Sequence, residues 1–300
     1  MKTKYKGVIC VVLSALCFAC MGVFVRLSGD LPSVEKGFFR NLIAAIAALC
    51  ILIKSKEGFK VEEGNFKFIL LRALFGTIAI FCNYYALDRV PLADASILNK
   101  MSPFFAVLFC FLILKEKVKP AQITIITVAF IGSMFVVKPS FDFVVFAPYL
   151  CGLCGGVSAG IAHAFVRLLG TRKQKGITIV FSFSAISCLV MLPLMIINFE
   201  PIAFNQLCWL LLAGVAAAGG QFFITTAYCH APAREVSVFE YTQIIFSTLL
   251  GIGIFEQVPD AISVLGYIII CSMAFLMFNY NKKVAEVPPE TNAAVDITKC

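Results

Sequence analysis

The sequence predicts an all-α integral membrane protein whose ten transmembrane helices form two inverted five-helix repeats. Three observations support this prediction: the composition, the length of the apolar runs and an internal repeat. Hydrophobic side chains make up 60% of the 300 residues and charged side chains 14%, with a mean hydropathy of +0.93. Too few polar groups are left to cover the surface of a water-soluble domain, so the chain is expected in a lipid bilayer.

Ten apolar runs approach the length of about 20 residues that a helix needs to cross a bilayer. They cover residues 7–27, 33–53, 66–87, 92–114, 120–138, 147–168, 177–198, 206–229, 234–255 and 261–280. The first run follows three lysines and resembles a secretory signal. Its last four residues, Phe-Val-Arg-Leu, recur at the end of the sixth run, so it is expected to be retained as part of the fold.

The internal repeat appears when the sequence is shifted by 141 positions. Ala86 then falls on Ala227 and Asn99 on Glu240, and after one skipped residue Glu116 falls on Glu256. The same shift places residues 24–27 on 165–168, more than sixty positions upstream. One shift that serves two distant segments indicates two homologous halves. We predict repeats at 1–140 and 141–280, followed by a disordered cytoplasmic tail at 281–300.

Five spans in each half make the second half enter the membrane from the opposite side, which gives an inverted repeat. Residues related by the shift should then lie at mirrored depths. Arg26 and Arg167 are related in this way, and each is expected to extend its side chain to a membrane surface, one on either side.

The net charge of +8 reflects the membrane topology. Lysines and arginines concentrate in alternate connections, whereas the loops near 199–205 and 256–260 contain none. By the positive-inside rule both termini are cytoplasmic, and we expect a multi-pass protein of the cell (inner) membrane. A nucleic-acid partner is not expected, because the basic residues follow the loop pattern.

The thirteen cysteines are expected to pack as small apolar residues, because all but Cys300 fall inside predicted spans. Cys151 and Cys154 form the only close pair, and packing is favoured over redox chemistry or a metal site. The sequence has no phosphate-binding Gly-x-x-x-x-Gly-Lys motif and no familiar hydrolase motif. We therefore expect neither an enzyme nor a bound cofactor or metal.

Three of the ionisable side chains inside predicted spans stand out: Arg40, Lys100 and Glu240. Such residues cost about 2.5–3.5 kcal/mol at the centre of a membrane helix and usually face a cavity. Counted along continuous helices, Arg40 and Lys100 belong to the outer third of the membrane and Glu240 to the inner third. One interpretation extends each to its nearer surface, without a simple pair. The other is a central cavity with a cationic outer wall and an acidic inner wall.

Polar neighbours favour the cavity. Asn83, Tyr84 and Asn99 reach a depth similar to that of Lys100, and Gln221, Tyr241 and Gln243 accompany Glu240. Each could contact a solute or hold two helices together. His163 in the sixth span either relays protons or is a hydrogen-bonded packing residue. The candidate binding residues are Arg40, Asn83, Tyr84, Asn99, Lys100, His163, Gln221, Glu240, Tyr241 and Gln243.

Two segments of this sequence resemble a known repeat. They are Tyr-Ala-Leu at 85–87 with Val-Pro-Leu-Ala-Asp-Ala at 90–95, and the weaker echo Ala-Tyr at 227–228 with Ala-Pro-Ala at 231–233. They are similar to the two EamA-type repeats of the drug/metabolite transporter superfamily. The resemblance covers residues 7–280 and implies a ten-helix secondary carrier of amino acids, nucleosides, vitamins, S-adenosylmethionine or other organic solutes.

The expected function is transport of a small organic solute by alternating access. The lipid bilayer is its environment, a proton or sodium ion is a candidate for coupling, and a homodimer is a candidate assembly. Two alternatives stay open at this point. One is a membrane receptor or assembly subunit without transport, and the other is an intramembrane oxidoreductase that uses Cys151 and Cys154.

Overall fold

A computed structural model describes residues 2–54, 60–87, 89, 92–137, 146–197, 199–256 and 259–286. All regular elements in this part are helices: α1 Lys2–Leu27, α2 Ser33–Lys54, α3 Phe66–Leu87, α4 Leu92–Asn99, α5 Ser102–Leu114, α6 Pro120–Val137, α7 Phe146–Thr171, α8 Gly176–Ile197, α9 Phe204–His230, α10 Ala233–Val236, a 3-10 helix Ser237–Tyr241, α11 Thr242–Phe255 and α12 Ala261–Glu286.

These helices make ten candidate membrane spans, which confirms the predicted number. Two of the spans are composite. One consists of α4 and α5, and the other of α10, the 3-10 helix and α11. The remaining eight spans are single helices whose ends lie close to the predicted ones, because a long apolar run sets the length of a membrane helix.

Equivalent helix ends in the two halves lie 141 residues apart. The helix α4 begins at Leu92 and α10 at Ala233. The residues that follow α5 and α11 are Lys115 and Glu256, and both adopt left-handed backbone angles, with φ of 55° and 54°. These ends correspond without the one-residue skip expected from the match of Glu116 with Glu256. The backbone therefore preserves the duplication better than the side chains do.

The helix α1 packs against α9 in an antiparallel direction. Ser14 Oγ donates a hydrogen bond to the Gly220 carbonyl at 2.8 Å, and nearer the start of α1 Gly7 lies against Ala231. In the same way α3 is antiparallel to α7, because Phe75 stacks on Phe165 and residues further along α3 meet earlier residues of α7. These two contacts are equivalent under the shift.

The helices α7 and α9 run in the same direction, since their final turns pack together. Cys229 Sγ lies 3.8 Å from the Val166 carbonyl oxygen, and Gly170 lies against Cys229. Because α1 is antiparallel to α9, α1 and α7 run in opposite directions. The halves are therefore inverted, as predicted. We call the membrane side on which α1 begins the N-terminal side, and the other the opposite side.

The predicted junction near residue 140 lies outside the described residues, so the boundaries 1–140 and 141–280 stay predictions. The last helix continues to Glu286, and the rest of the predicted tail at 281–300 lies outside the described part.

The interruption between α4 and α5 has a cause in the sequence. Pro103 is the second residue of α5 and has no backbone N–H, so a continuous helix would leave the Asn99 carbonyl without its partner. The chain instead turns at Lys100 and Met101. In the second half Ile244 stands at the position equivalent to Pro103, and the corresponding stretch tightens into the 3-10 helix. Both interruptions lie beside the largest buried apolar cluster.

Candidate functional site

The two helix interruptions meet at the centre of the molecule. Tyr241 in the 3-10 helix donates a hydrogen bond from its hydroxyl to the Lys100 carbonyl at 3.1 Å. Lys100 and Tyr241 are equivalent under the shift of 141. Equivalent residues of an inverted repeat can touch only where the pseudo-twofold axis passes between them, and that axis lies in the membrane plane. The contact therefore lies close to the axis that relates the two halves.

The Lys100 ammonium group points into this central region. Its Nζ donates a hydrogen bond to Gln243 Oε1 at 2.6 Å. Gln243 lies in the first turn of α11, directly after the 3-10 helix. A lysine of the first half is thus held by two residues of the second half, one through its backbone and one through its side chain.

The Glu240 carboxylate lies in the same cluster. Tyr228, which is fully buried in α9, donates a hydrogen bond from its hydroxyl to Glu240 Oε1 at 2.5 Å. The charges of Glu240 and Lys100 act on each other across the cluster. Opposite charges within the membrane stabilise each other when they are close, because neither is solvated by water.

This arrangement corrects the expectation that Lys100 and Glu240 belong to separate outer and inner walls. It also contradicts the interpretation that each extends to its nearer membrane surface. The depths expected from the sequence were counted along continuous helices and described only the position of the backbone. In the structure the helices are interrupted at these residues, and the two side chains belong to one cluster, Lys100 bonded to Gln243 and Glu240 bonded to Tyr228.

His163 joins the cluster through Tyr228. The two rings stack with centroids 4.7 Å apart and planes inclined by 21°. His163 Nδ1 is buried and has no hydrogen-bond partner among the described residues. The predicted hydrogen bond of a packing histidine is therefore absent at this nitrogen, and the ring is held by stacking.

Other predicted residues lie away from these contacts. Gln221 is buried but donates to Thr225 Oγ1 of its own helix at 3.3 Å. Asn99 is exposed, and the Asn83 backbone packs against Gly155. Tyr84 lies in α3, and its side chain is outside the described part. The structure thus brings together Lys100, His163, Glu240, Tyr241 and Gln243, which we call the central cluster together with Tyr228.

Arg40 is half-buried in α2, and its guanidinium carbon lies 5.8 Å from the centroid of the Phe18 ring. Phe18 in turn packs against Gly220 of α9. Arg40 therefore lies beside the contact between α1 and α9, and its role in binding stays a prediction.

Arg72 is a buried charge that the sequence reasoning missed. It lies in α3 and is 3% exposed, and its guanidinium carbon is 4.1 Å from the centroid of the Phe183 ring. The signal was present, because Arg72 falls inside the predicted third span. It stands six residues from the start of that span, where it was not distinguished from a residue at the membrane surface.

The described residues contain no group of three or more His, Cys, Asp or Glu that could hold a metal ion. Cys151 and Cys154 are free thiols, the former partly buried and the latter exposed. The central cluster instead offers an ammonium group, a carboxylate, two phenols, an amide and an imidazole. Such a set can bind and orient the charged head of a small polar solute.

Comparison with known proteins gives a consistent family. The EamA-like transporter family matches residues 5–138 and 147–279. A "Pseudopaline exporter CntI" of Pseudomonas aeruginosa (strain UCBPP-PA14) is 35% identical over 267 residues, which are 88% of this chain and 93% of that protein. An "S-adenosylmethionine uptake transporter" of Rickettsia prowazekii is 23% identical over 290 residues, 94% of this chain and 96% of that one.

A solved crystal structure superimposes with a TM-score of 0.80 at 17% identity, and the match covers 92% of this chain and 98% of that chain. At this identity the likeness supports the fold alone. The family match covers nearly the whole sequence in two segments that correspond to the inverted halves. The chain therefore belongs to the EamA-like transporter family and is a multi-pass membrane transporter of small metabolites, not an enzyme.

Proposed function

We propose that the protein moves a small organic solute with an anionic or zwitterionic head by alternating access, and that the solute binds at the central cluster. The observation that supports this most directly is the contact of Tyr241 with Lys100 across the pseudo-twofold axis. A site on that axis is equally distant from both membrane sides, which a carrier requires of its binding site.

The central cluster contains charges of both signs, each with a replaceable partner. Lys100 is bonded to the neutral Gln243, and Glu240 to the neutral Tyr228. A solute carboxylate could replace Gln243 at Lys100, and a solute ammonium group could approach Glu240. Hydrogen bonds between charged groups are roughly twice as strong as neutral ones, so such an exchange favours binding.

The relatives agree with an organic solute. The names of the matched proteins include a pseudopaline exporter, an S-adenosylmethionine uptake transporter and a riboflavin transporter. The solute class is accordingly an amino acid, a nucleoside, a vitamin or a compound similar to S-adenosylmethionine. Exporters and uptake carriers both occur among these relatives, so the direction of transport is not assigned.

In this scheme both termini are cytoplasmic and the protein lies in the cell (inner) membrane, because the basic residues concentrate on the N-terminal side. The repeats at 1–140 and 141–280 move against each other about the central cluster. A proton or sodium ion is the proposed coupling ion, and a homodimer is a candidate assembly.

The test begins with a thermal-unfolding screen of the purified protein against amino acids, nucleosides and vitamins, since a bound solute raises the apparent stability. Solutes that bind are then assayed for flux in proteoliposomes. We expect Lys100→Ala and Glu240→Ala to abolish flux, because each removes a charge at the site. Lys117→Ala and Glu63→Ala remove exposed charges outside the central cluster and should leave flux unchanged.

Normal flux in both Lys100→Ala and Glu240→Ala would exclude the central cluster as the binding site. If no solute crosses the membrane, cysteine substituted at Gln243 in a cysteine-free variant becomes the readout. Resistance of that thiol to hydrophilic reagents from both sides would favour a receptor or assembly subunit over a carrier.

A further inference from the structure

Arg72 carries a buried charge whose nitrogen atoms lack partners. Its Nε and Nη1 are buried without a hydrogen bond to any described residue. A guanidinium has five N–H donors and remains charged at neutral pH. Stacking on the Phe183 ring offsets part of the cost of burying this charge, but the ring accepts no in-plane hydrogen bond. Burying an unpaired cation costs free energy, and an anion bound beside Arg72 would reduce that cost.

A second arginine adds to this positive charge. Arg40 lies in the same region, because Phe38, two residues before it, packs against the buried cluster that contains Ala73 and Phe183, and its charge acts on that of Arg72. No carboxylate among the described side chains forms an ion pair with either guanidinium. Two neighbouring cations without a counterion attract an anion more strongly than either does alone.

Gly76 provides the room that Arg72 occupies. It lies one turn after Arg72 on α3, and a Cβ atom at this position would overlap Arg72 Nη1 and lie 2.6 Å from Phe183 Cε2. The guanidinium can therefore occupy its place between α3 and the Phe183 ring only because residue 76 has no side chain.

Arg72 lies near the central cluster, because it stands on α3 between Phe68 and Phe75, which both stack on Phe165 of α7, two residues after His163. The charge of Arg72 acts on His163, whose Nδ1 also lacks a partner. His163 stacks on Tyr228, and the Tyr228 hydroxyl bonds Glu240. We therefore expect a solute bound at the central cluster to lie near Arg72.

We infer that Arg72 and Arg40 form a second anion-binding subsite, which takes a carboxylate of the transported solute. The inference rests on the proposed function, because it names the substrate class of that same site. With one carboxylate at Lys100 and another at the two arginines, the solute is an organic anion with at least two separated carboxylates. Arginine suits this role, because its planar fork binds carboxylates by paired hydrogen bonds.

The test measures thermal unfolding of the purified full-length protein with succinate, glutarate and citrate, each compared with its uncharged amide at equal ionic strength. Sodium chloride and inorganic phosphate serve as further probes. The variants are Arg72→Met and, as a matched control, Arg172→Met. Arg172 also stacks on a phenylalanine, with 4.5 Å from its guanidinium carbon to the Phe68 centroid, but it is exposed at the end of α7.

We expect at least one carboxylate, but not its amide, to raise the unfolding midpoint of the wild type and of Arg172→Met. In Arg72→Met the carboxylate concentration needed for the same rise should increase about tenfold. Without ligand, Arg72→Met should unfold no earlier than the wild type, because it removes an unpaired buried charge. A purely structural arginine would behave in the opposite way and lower the midpoint.

Three outcomes would overturn the inference: no carboxylate stabilises the wild type more than its amide, chloride or phosphate stabilises it as well as the carboxylates do, or the carboxylates stabilise Arg72→Met as well as the wild type. If Arg72→Met does not fold, Arg72→Lys takes its place in the ligand comparison, since it keeps the charge and loses the fork. Because binding is measured without flux, a protein that binds carboxylates through Arg72 and transports nothing would contradict only the proposed function.

Discussion

The two membrane sides differ at equivalent positions, and Arg167 and Arg26 show this most clearly. On the N-terminal side Arg167 Nε donates to Glu116 Oε1 at 2.8 Å, and both side chains are largely buried. On the opposite side Arg26 is exposed and contacts the Phe255 ring, with 4.3 Å from its guanidinium carbon to the centroid. Among the described residues, the same repeat position thus forms an ion pair on one side and only a ring contact on the other.

The connections between helices also differ between the two sides, with more hydrogen bonds on the N-terminal side. On the N-terminal side Gln174 accepts hydrogen bonds from the Glu62 N–H at 3.0 Å and from Asn65 Nδ2 at 3.3 Å, and it donates to the Lys60 carbonyl at 3.2 Å. On the opposite side the corresponding loop is held by Glu35, whose Oε1 accepts from the Glu200 N–H at 2.8 Å while Oε2 has no partner among the described residues.

The opposite side also contains a cavity of about 600 Å³ between α2, α3 and α8. Its lining includes Pro32, Phe81, Tyr85, Met191 and Phe199. A duplicated protein whose halves were packed identically would be equally closed at both ends. The difference therefore teaches that, among the described residues, side-chain contacts hold the N-terminal side more tightly than the opposite side.

The largest effect is expected from Glu116→Ala. It leaves Arg167 charged, largely buried and without its carboxylate, which should lower the free energy of unfolding by about 3 kcal/mol. The measurement is the thermal-unfolding midpoint in detergent. Arg26→Ala is the matched control at the equivalent position, and it should cost less than about 1 kcal/mol because a partly exposed cation–π contact is weak.

The double variant Glu116→Ala/Arg167→Ala sharpens this test. Since it removes both charges, its stability should recover part of the loss seen in Glu116→Ala. Equal destabilisation by Glu116→Ala and Arg26→Ala would mean that the two sides are held equally, contrary to the comparison.

A smaller effect is expected from Gln174→Ala, which removes three hydrogen bonds and leaves the Glu62 N–H without its acceptor. The cost should be about 2 kcal/mol. Hydrogen exchange followed by mass spectrometry should show faster exchange in residues 60–65 and unchanged exchange in the loop that contains Glu200. Faster exchange in both loops would indicate a global loss of stability instead.

The smallest effect is expected from Glu35→Gln. The amide keeps an oxygen that can accept the Glu200 N–H, so the unfolding midpoint should change by less than the equivalent of about 0.5 kcal/mol. In Glu35→Ala the acceptor is lost, and exchange of the Glu200 amide should accelerate. A large destabilisation by Glu35→Gln would show that the opposite side depends on this carboxylate more than its single bond implies.

Most of the fold could be predicted from the sequence, because the membrane imposes it. Apolar runs set the spans, and the shift of 141 together with an odd number of spans set the inversion. Lys100 and Glu240 could be singled out because a charge in a span is costly. It could not be predicted that they belong to one cluster, since this depends on where α5 and the 3-10 helix begin and on how the halves pack.

The sequence was least informative for residues whose partners are distant along the chain. Arg167 was expected to extend to a membrane surface, and no local pattern indicates that it pairs with Glu116, fifty-one positions away. Gln174 lies in a short polar connection and has no intramembrane signal. Arg72 was visible as a charge within a span, and only the structure distinguishes it from a residue at the interface.

The hydrogen bond between Tyr241 and Lys100 has a further consequence for motion. In the proposed alternating access, the opposite-facing state is reached when the halves exchange conformations, so the tight packing now seen around Arg167 would pass to the surroundings of Arg26. A point on the symmetry axis is its own counterpart and keeps its surroundings in both states. The distance between Tyr241 and Lys100 is therefore expected to stay constant through the transport cycle. The contacts nearer the two membrane surfaces would form and break in turn.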